Sequence, residues 1–562
     1  MSALRPTQRS RAQESRAAIQ RLYIAMRHLF IRGSYKPLGV SGEAMIEALT
    51  QLRPEIYGSI NDPERVELDG LLYIFQRLPR GIEECRYIKL ISREGFEDSD
   101  FEPIIPSKRR RNSYRIDQEQ MYIEMTRGRS DIYDILTHLT FLYIEAEKIR
   151  RNSEDHKARK RREWVMLEDI VNREARGEEY NQEIAYTYLS TLLGRTYEET
   201  VQACRRFERA TDVNSIFHIT YWLGRLASEE AHEGNDREIS FSSALREKIG
   251  HHYYGELWAR NIKQYLKDNG LLGRPLHIIS ANLHSVMNTL YAGAALEQEN
   301  ELEDLARELS IEANEGLRDK VKRYAIQNGM AQLDDTSGTN ISVQIFDTAA
   351  IPARHFPREL HWDTAVVSEH KPVIIVMDYA FGEQAYETMD ELLKPYEAEG
   401  EKYPLNVASV NIMGKAGILQ GGKGDIMVPN AHVFEGTADN YPFENDLTVE
   451  DFEGHGLRVV DGPMISVLGT SLQNKDILHY FLKSSWHAAG LEMEGAHYQK
   501  AIQAASKIRK SIQEGVVLRY AYYASDNPLI SGQTLASGSL GADGVRPTYL
   551  ITVKFLNRIV GR

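Results

Sequence analysis

Apolar residues recur at helical spacing from about residue 10 to about residue 330. In the stretch "SRAAIQRLYIAMRHLFIRG", one helical face carries Ile19, Leu22, Met26, Leu29 and Phe30. Gly33 follows at a position typical of a helix stop. Similar patterns cover 130–151, 182–194 and 196–210. The pattern therefore predicts a large, mainly α-helical N-terminal region.

After about residue 340 the pattern changes to short apolar runs rich in β-branched residues. These runs lie within 341–353, 364–382, 404–419, 423–434, 457–469 and 516–526, with helical segments between them. Such alternation is typical of an α/β domain with a substantially parallel sheet. We therefore predict two domains, 1–340 and 341–562. The segment 274–296 is open to two interpretations, a strand leading into a helix or one buried helix.

Length, net charge and cysteine content exclude several classes of protein. A chain of 562 residues is too long for one ordinary core, and its net charge of −13 argues against nucleic acid as the main partner. The two cysteines, Cys85 and Cys204, have no ligand-like spacing and suit a reducing compartment. No secretory signal or membrane-spanning run is visible, so we expect a cytoplasmic protein that does not bind membranes.

Two basic clusters, 107–115 and 147–164, interrupt the helical region. They lack the interleaved aromatic residues typical of single-strand nucleic-acid binding, and acidic residues are mixed into the second. We interpret them as a solvated loop and an exposed helix face rather than a nucleic-acid patch.

Candidate chemistry lies where the predicted strands end. Glu383 follows the strand 373–377, and a glycine-containing turn is predicted at 414–417. "LEMEGAHY" contains two carboxylates, Glu492 and Glu494, and Asp526 ends the strand "VVLRYAYYASD". Ligands of open α/β sheets bind beyond the carboxyl ends of the strands, so we expect these groups to line one crevice.

The order and spacing of these segments resemble the nucleoside phosphorylase/nucleosidase family over about residues 365–562. The resemblance rests on "GKAGIL…KGDIMVP", "LEMEGAHY" and "ASDNPL", and within the family it points to AMP nucleosidase and methylthioadenosine/S-adenosylhomocysteine nucleosidase. It implies a phosphorylase/hydrolase-like fold, three-layered around a central mixed sheet, and self-association into a homo-oligomer. Residues 1–340 resemble no family that we recognise.

The resemblance also implies roles for individual residues. Glu494 would accept hydrogen bonds from the ribose 2′ and 3′ hydroxyls, and Met493 would pack on the sugar. Asp526 would share a proton with purine N7, and Glu383 would orient or deprotonate the attacking water. The remaining residues of the predicted substrate-binding set are Glu492, Gly414, Lys415, Ala416, Gly417 and Ser525.

Departures from the family pattern leave the reaction open. Lys415 replaces a small residue and Ile418 replaces a glycine, and the glycine pair of many phosphorylases is absent, which favours water over phosphate as the nucleophile. The leading hypothesis is a hydrolase of purine nucleosides or nucleotides. The alternatives are a phosphorylase, with Lys415 and Arg354 as anion ligands, and a non-catalytic nucleoside sensor.

We expect no cofactor and no metal. The histidines, including His251, His252 and His361, lack a carboxylate or cysteine pattern typical of metal ligands.

Overall fold

Residues 10–298, 301–437, 439–530 and 540–561 are described by the computed structural model of the chain. The chain divides into two units. The first comprises Met1–His251 and Ser471–Ile477, and the second comprises His252–Thr470 and Leu478–Arg562.

The first unit combines helices with one small sheet. Its helices are α1 (Arg11–Arg32), α2 (Val40–Leu52), α3 (Leu68–Phe75), α4 (Gly128–Ser153), α5 (Arg162–Arg176), α6 (Gln182–Leu193), α7 (Tyr197–Glu208), α8 (Ile216–Glu233) and α9 (Ser243–Gly250). Its strands are β1 (Ser34–Tyr35), β2 (Tyr87–Ile91), β3 (Ser113–Arg115), β4 (Gln120–Glu124) and β5 (Glu238–Phe241), in the sheet order β1-β5-β2-β4-β3. The sequence pattern missed this sheet because its strands are short and widely separated along the chain.

Helix α1 illustrates how local sequence defines an element. Ser10 and Gln13 form a reciprocal capping box at its start, and Gly33 ends it in the left-handed conformation with φ 91°. The five apolar residues predicted to share one face are all buried. The prediction for this helix is confirmed.

The basic clusters are largely solvated, as the sequence suggested, since Lys108, Arg110 and residues 156–162 are exposed, but they are not solvated throughout. Arg111 is only 1% exposed and pairs with Asp131 and Asp134 of α4. In the second cluster, Arg150 and Lys160 both pair with the buried Glu154. The acidic partners of Arg111 on the neighbouring helix explain why its charge can leave solvent.

The second unit is built around a large sheet. The strands of the second unit are β6 (Leu276–Ser280), β7 (Met330–Leu333), β8 (Val343–Asp347), β9 (Val373–Met377), β10 (Tyr396–Ala398), β11 (Glu401–Tyr403), β12 (Val407–Ile418), β13 (Ile426–Phe434), β14 (Asn440–Pro442), β15 (Val459–Ser466), β16 (Gly490–Glu492) and β17 (Val517–Asp526). Of these, β10 and β11 form a separate two-stranded sheet. The helices are α10 (Tyr253–Asp268), α11 (Leu283–Leu296), α12 (Leu302–Ser310), α13 (Glu315–Gln327), α14 (Thr364–His370), α15 (Gln384–Leu392), α16 (Lys475–Lys483), α17 (Gly495–Gln503) and α18 (Val545–Val560). The start of α16, up to Ile477, belongs to the first unit.

Both faces of this sheet carry apolar residues. All five residues of β9 are buried; Val373, Ile375 and Met377 join one core, and Ile374 and Val376 join another. The first core includes residues of α10, α15 and α17, and the second includes residues of α11, α13 and α18. Helices therefore cover the sheet on its two faces, which explains why its strands read as continuous apolar runs.

The sheet contains both parallel and antiparallel pairs. It has ten strands in the order β14-β13-β15-β16-β12-β6-β9-β8-β7, and β17 pairs with both β12 and β13. Strand β12 pairs in parallel with β6 and β17, and antiparallel with β16. Five strands pair in the order β12, β17, β13, β15 and β16, and β16 pairs with β12 again, so that they close into a ring.

The division between the units differs from the predicted boundary at 340. Strand β6 lies between β12 and β9 in the large sheet, so residues 252–340 belong to the second unit. Of the two interpretations of 274–296, the strand leading into a helix is correct, with Asn282 capping α11. A strand of five residues is too short for its periodicity to show this from sequence.

None of the helices in the described part of the chain has both the length and the apolar character needed to cross a membrane.

Candidate functional site

Gly417 is the point where three distant parts of the chain meet. On one side of β12 it lies opposite Leu491 of β16, and on the other side it lies opposite Asp526 of β17. Neighbouring strands are about 4.8 Å apart, so the backbones of residues 491 and 526 are separated by roughly 10 Å. The structure therefore brings Asp526 and the Glu492–Glu494 segment to the same end of the ring.

The predicted turn at 414–417 is instead part of a continuous strand. Strand β12 runs through Gly414 and Gly417 to Ile418, with only a register shift between Ala416 and Gly417. Ile418, at the end of this strand, is fully buried in the core. A glycine-rich strand and a glycine-rich turn look alike locally, and only pairing on both edges distinguishes them.

Asp526 is the last residue of β17 and is fully buried. The hydroxyl of Ser525 lies within hydrogen-bond distance of Asp526 Oδ1 and of the Ala416 carbonyl oxygen, the latter at 3.2 Å. The predicted residues Ala416, Ser525 and Asp526 are thus in direct contact or adjacent.

Glu492 is engaged entirely by protein groups. Its Oε2 accepts hydrogen bonds from the backbone N–H groups of Glu494 and Gly495, and its Oε1 shares a hydrogen bond with Ser466 Oγ. Ser466 Oγ in turn accepts from the backbone N–H of Ala496 at 2.9 Å. These hydrogen bonds link the start of α17 to the end of β15. Glu492 therefore holds the turn that carries Glu494 in place and does not face an open surface.

Burial and the neighbouring charge of Glu494 raise the pKa of Glu492 from 4.5 to about 8, against the opposing effect of the Ser466 and backbone hydrogen bonds. At neutral pH Glu492 therefore holds its proton.

Glu494 immediately precedes α17 and is half-buried. Its Oε1 accepts a hydrogen bond from the backbone N–H of Gly382 at 2.9 Å. The next residue, Glu383, is half-buried and forms the N-cap of α15. The structure thus joins the segment carrying Glu383 to Glu494. Met493 is half-buried on the same turn.

Gly495 explains why a small residue follows Glu494. A Cβ atom at this position would collide with the ring of His432 and lie 2.6 Å from Tyr522 Oη. His432 is fully buried, and its Nε2 lies 3.0 Å from Tyr522 Oη. The sequence analysis missed both residues, although each lies on a predicted strand of the ring.

Lys415 faces a different environment. It lies opposite Tyr523 and is exposed in a cavity of about 910 Å³, whose lining also includes Asn282 and Tyr379. Its neighbours Ala416 and Ala524 belong to the core on the other face of the sheet. The predicted partner Arg354 is exposed, donates to Tyr324 Oη at 3.0 Å and lies outside this cavity's lining.

Two groups of histidine and carboxylate side chains occur in the described part of the chain, contrary to the sequence expectation. They are Glu83, Glu84 and His218 in the first unit, and His252, Asp390 and Glu391 in the second. Arg115 pairs with Glu84, while Lys394 and Arg509 pair with the carboxylates of the second group. These cations already compensate the carboxylates, so neither group is assigned as a metal site.

Comparison with known proteins places the chain among relatives of unknown function. A family model described as "Family of unknown function (DUF6909)" matches residues 43–325 and 309–561. A search of curated protein sequences found no match.

Solved structures similar to this chain include nucleosidases. Native futalosine hydrolase of Helicobacter pylori strain 26695 is 15% identical, and the match covers 51% of this chain and 98% of that chain with a TM-score of 0.30. The 5′-methylthioadenosine/S-adenosyl homocysteine nucleosidase of Campylobacter jejuni is 10% identical, with coverage of 51% and 99% and a TM-score of 0.30. AMP nucleosidase from Bacteroides thetaiotaomicron VPI-5482 is 13% identical, with coverage of 54% and 96% and a TM-score of 0.29. The family model covers most of the sequence, and the chain therefore belongs to the family of unknown function DUF6909.

Proposed function

We propose that the second unit hydrolyses the N-glycosidic bond of a purine nucleoside or nucleotide. The observation that carries the proposal is the pairing of Gly417 with both Leu491 and Asp526, which brings two carboxylate segments to one end of the ring. The hydrogen bond from Gly382 to Glu494 adds the segment of Glu383. Three carboxylate-bearing segments, far apart in sequence, thus converge.

This set of groups suits cleavage through a sugar with developing positive charge. The charge of Glu494 stabilises an oxocarbenium-like ribose and its oxygens suit a sugar diol. Asp526, buried at the end of β17, is the acid that protonates the departing base. Glu383 orients or deprotonates the attacking water. Protonated Glu492 holds the turn that carries Glu494 without adding a second negative charge.

A substrate panel tests the reaction. The full-length protein is incubated with adenosine, inosine, AMP and methylthioadenosine, with and without inorganic phosphate, and free base is measured by liquid chromatography. Base release without phosphate supports hydrolysis. Release only with phosphate supports a phosphorylase instead, and tight binding without release supports a sensor.

Replacing Asp526 with asparagine removes the proposed acid and nearly preserves side-chain size. We expect turnover at least about a hundredfold slower, with nucleoside binding retained. The exposed Glu444→Gln is the matched control and should keep wild-type turnover. Near-normal turnover of Asp526→Asn would exclude Asp526 as the acid.

Replacing Glu494 with glutamine tests the sugar contact. We expect the dissociation constant to rise more for ribosides than for free base, because only the riboside presents a diol. The measurement is calorimetric titration of both ligands. Equal weakening of the two would assign Glu494 a purely structural role.

A further inference from the structure

The first unit contains buried arginines that the proposed reaction does not use. Arg111 Nη2 lies 2.8 Å from Asp131 Oδ1 and 2.6 Å from Asp134 Oδ2. Arg109 donates to both carboxylate oxygens of Asp134, at 3.0 and 3.1 Å. The oxygens of Asp134 are therefore already shared by two guanidinium groups.

Arg77 lies beside this group but has no acidic partner of its own. It is 7% exposed, and its guanidinium carbon lies 3.4 Å from the centre of the Tyr73 ring. One nitrogen, Nη1, donates to the Tyr73 carbonyl oxygen at 2.8 Å, and Nε is buried with no hydrogen-bond partner in the part of the chain that the structure describes. Among the described residues, no carboxylate forms an ion pair with Arg77. Burial, followed by repulsion from Arg109, lowers its pKa.

A fully buried histidine completes the group. His138 lies on α4 with its ring 5.9 Å from that of Tyr73, and neither of its ring nitrogens makes a hydrogen bond within the described structure. Its Nδ1 is 3.5 Å from Asp134 Oδ2. Burial, with the charges of Arg109, Arg111 and Arg77, lowers the pKa of His138 to about 3 against the opposing effect of Asp134. The imidazole is therefore neutral, and it lies among three arginines and the carboxylate of Asp134.

We propose that this arginine cluster, formed by Arg77, Arg109, Arg111 and His138, binds an oxyanion, either inorganic phosphate or the phosphate group of a monoester. A buried guanidinium that forms no ion pair is only partly compensated, and a buried donor without an acceptor adds to the cost. An anion with several oxygens compensates the charge of Arg77 and accepts from its Nε–H and from the imidazole N–H. The planar fork of donors on arginine matches the geometry of phosphate.

Thermal unfolding with added anions tests the proposal. The full-length protein is heated in sodium phosphate, in AMP, and in sodium chloride at matched ionic strength. We expect a concentration-dependent rise in Tm with phosphate, with AMP or with both, and none with chloride. A response to AMP alone identifies the monoester as the ligand, and a response to phosphate alone or to both identifies the free anion. To separate this site from the candidate nucleosidase site, the series is repeated with Glu494→Gln, which should weaken riboside binding at that site and leave the anion response as in the wild type.

Two substitutions at Arg77 make the test specific. Arg77→Met keeps an apolar stem over Tyr73 but removes the charge, so it should lose the anion response and melt no lower than wild type in anion-free buffer. Arg77→Lys keeps the charge but lacks Nε, and its apparent Kd for phosphate should rise at least tenfold. The exposed Arg110→Met is the matched control and should respond normally. Absence of an anion response in the wild type, or a full response in both Arg77 variants, would overturn the proposal.

Discussion

The replacement of Glu492 by glutamine should make the second unit more stable at neutral and alkaline pH. The folded protein raises the pKa of this carboxyl from 4.5 to about 8. Between these two values the folded state keeps the proton that the unfolded state has lost. The stabilising contribution is therefore fully present below pH 4.5 and disappears as the pH rises towards 8.

The size of the effect follows from the shift. Each pH unit in this window lowers the free energy of unfolding by about 1.4 kcal/mol through this group. Glutamine resembles the protonated carboxyl: its oxygen can accept from the N–H groups of Glu494 and Gly495, and its amide can donate to Ser466 Oγ. The stability of the variant relative to wild type should therefore rise by about 3 kcal/mol between pH 5.5 and pH 7.5.

Urea unfolding of both proteins at pH 5.5, 6.5 and 7.5, followed by circular dichroism, measures this difference. The chain has two units, so the comparison uses the transition that the substitution shifts. Glu444→Gln, an exposed change of the same chemistry, should give no pH-dependent difference. A variant that is less stable than wild type by the same amount at every pH would refute the reasoning, because it would mean that an ionised Glu492 anchors the turn.

Two further predictions concern the turn after Glu494 and the division of the chain. Gly495→Ala should destabilise the protein by about 1–3 kcal/mol and weaken riboside binding, because the added methyl group collides with His432. Gly422→Ala is the control, because a Cβ atom at that position meets open space. Equal melting temperatures for the two variants would contradict the packing argument. A fragment covering 252–562 should show a cooperative thermal transition, whereas one covering 341–562 should not, because it lacks β6 from between β12 and β9. A cooperative transition in the shorter fragment would show that β6 is dispensable.

Several features of the protein can be read from local sequence. The apolar spacing and the flanking Ser10 and Gly33 predict α1, because capping and helical periodicity involve residues only a few positions apart. Strand-end positions likewise identify Glu494 and Asp526 as candidates. In these cases the deciding interactions lie within one element or at its ends.

Other features depend on partners that are distant in sequence. Strand β6 belongs to the large sheet, and β12 continues through its glycines, because other strands pair along their edges. Glu492 serves the protein rather than an open surface because Ser466 and the start of α17 enclose it. The helical pattern and the strand-end carboxylates were thus determined by the sequence alone. Only the tertiary structure decided which strands pair along their edges and which charged side chains are buried, because both depend on which segments meet in space.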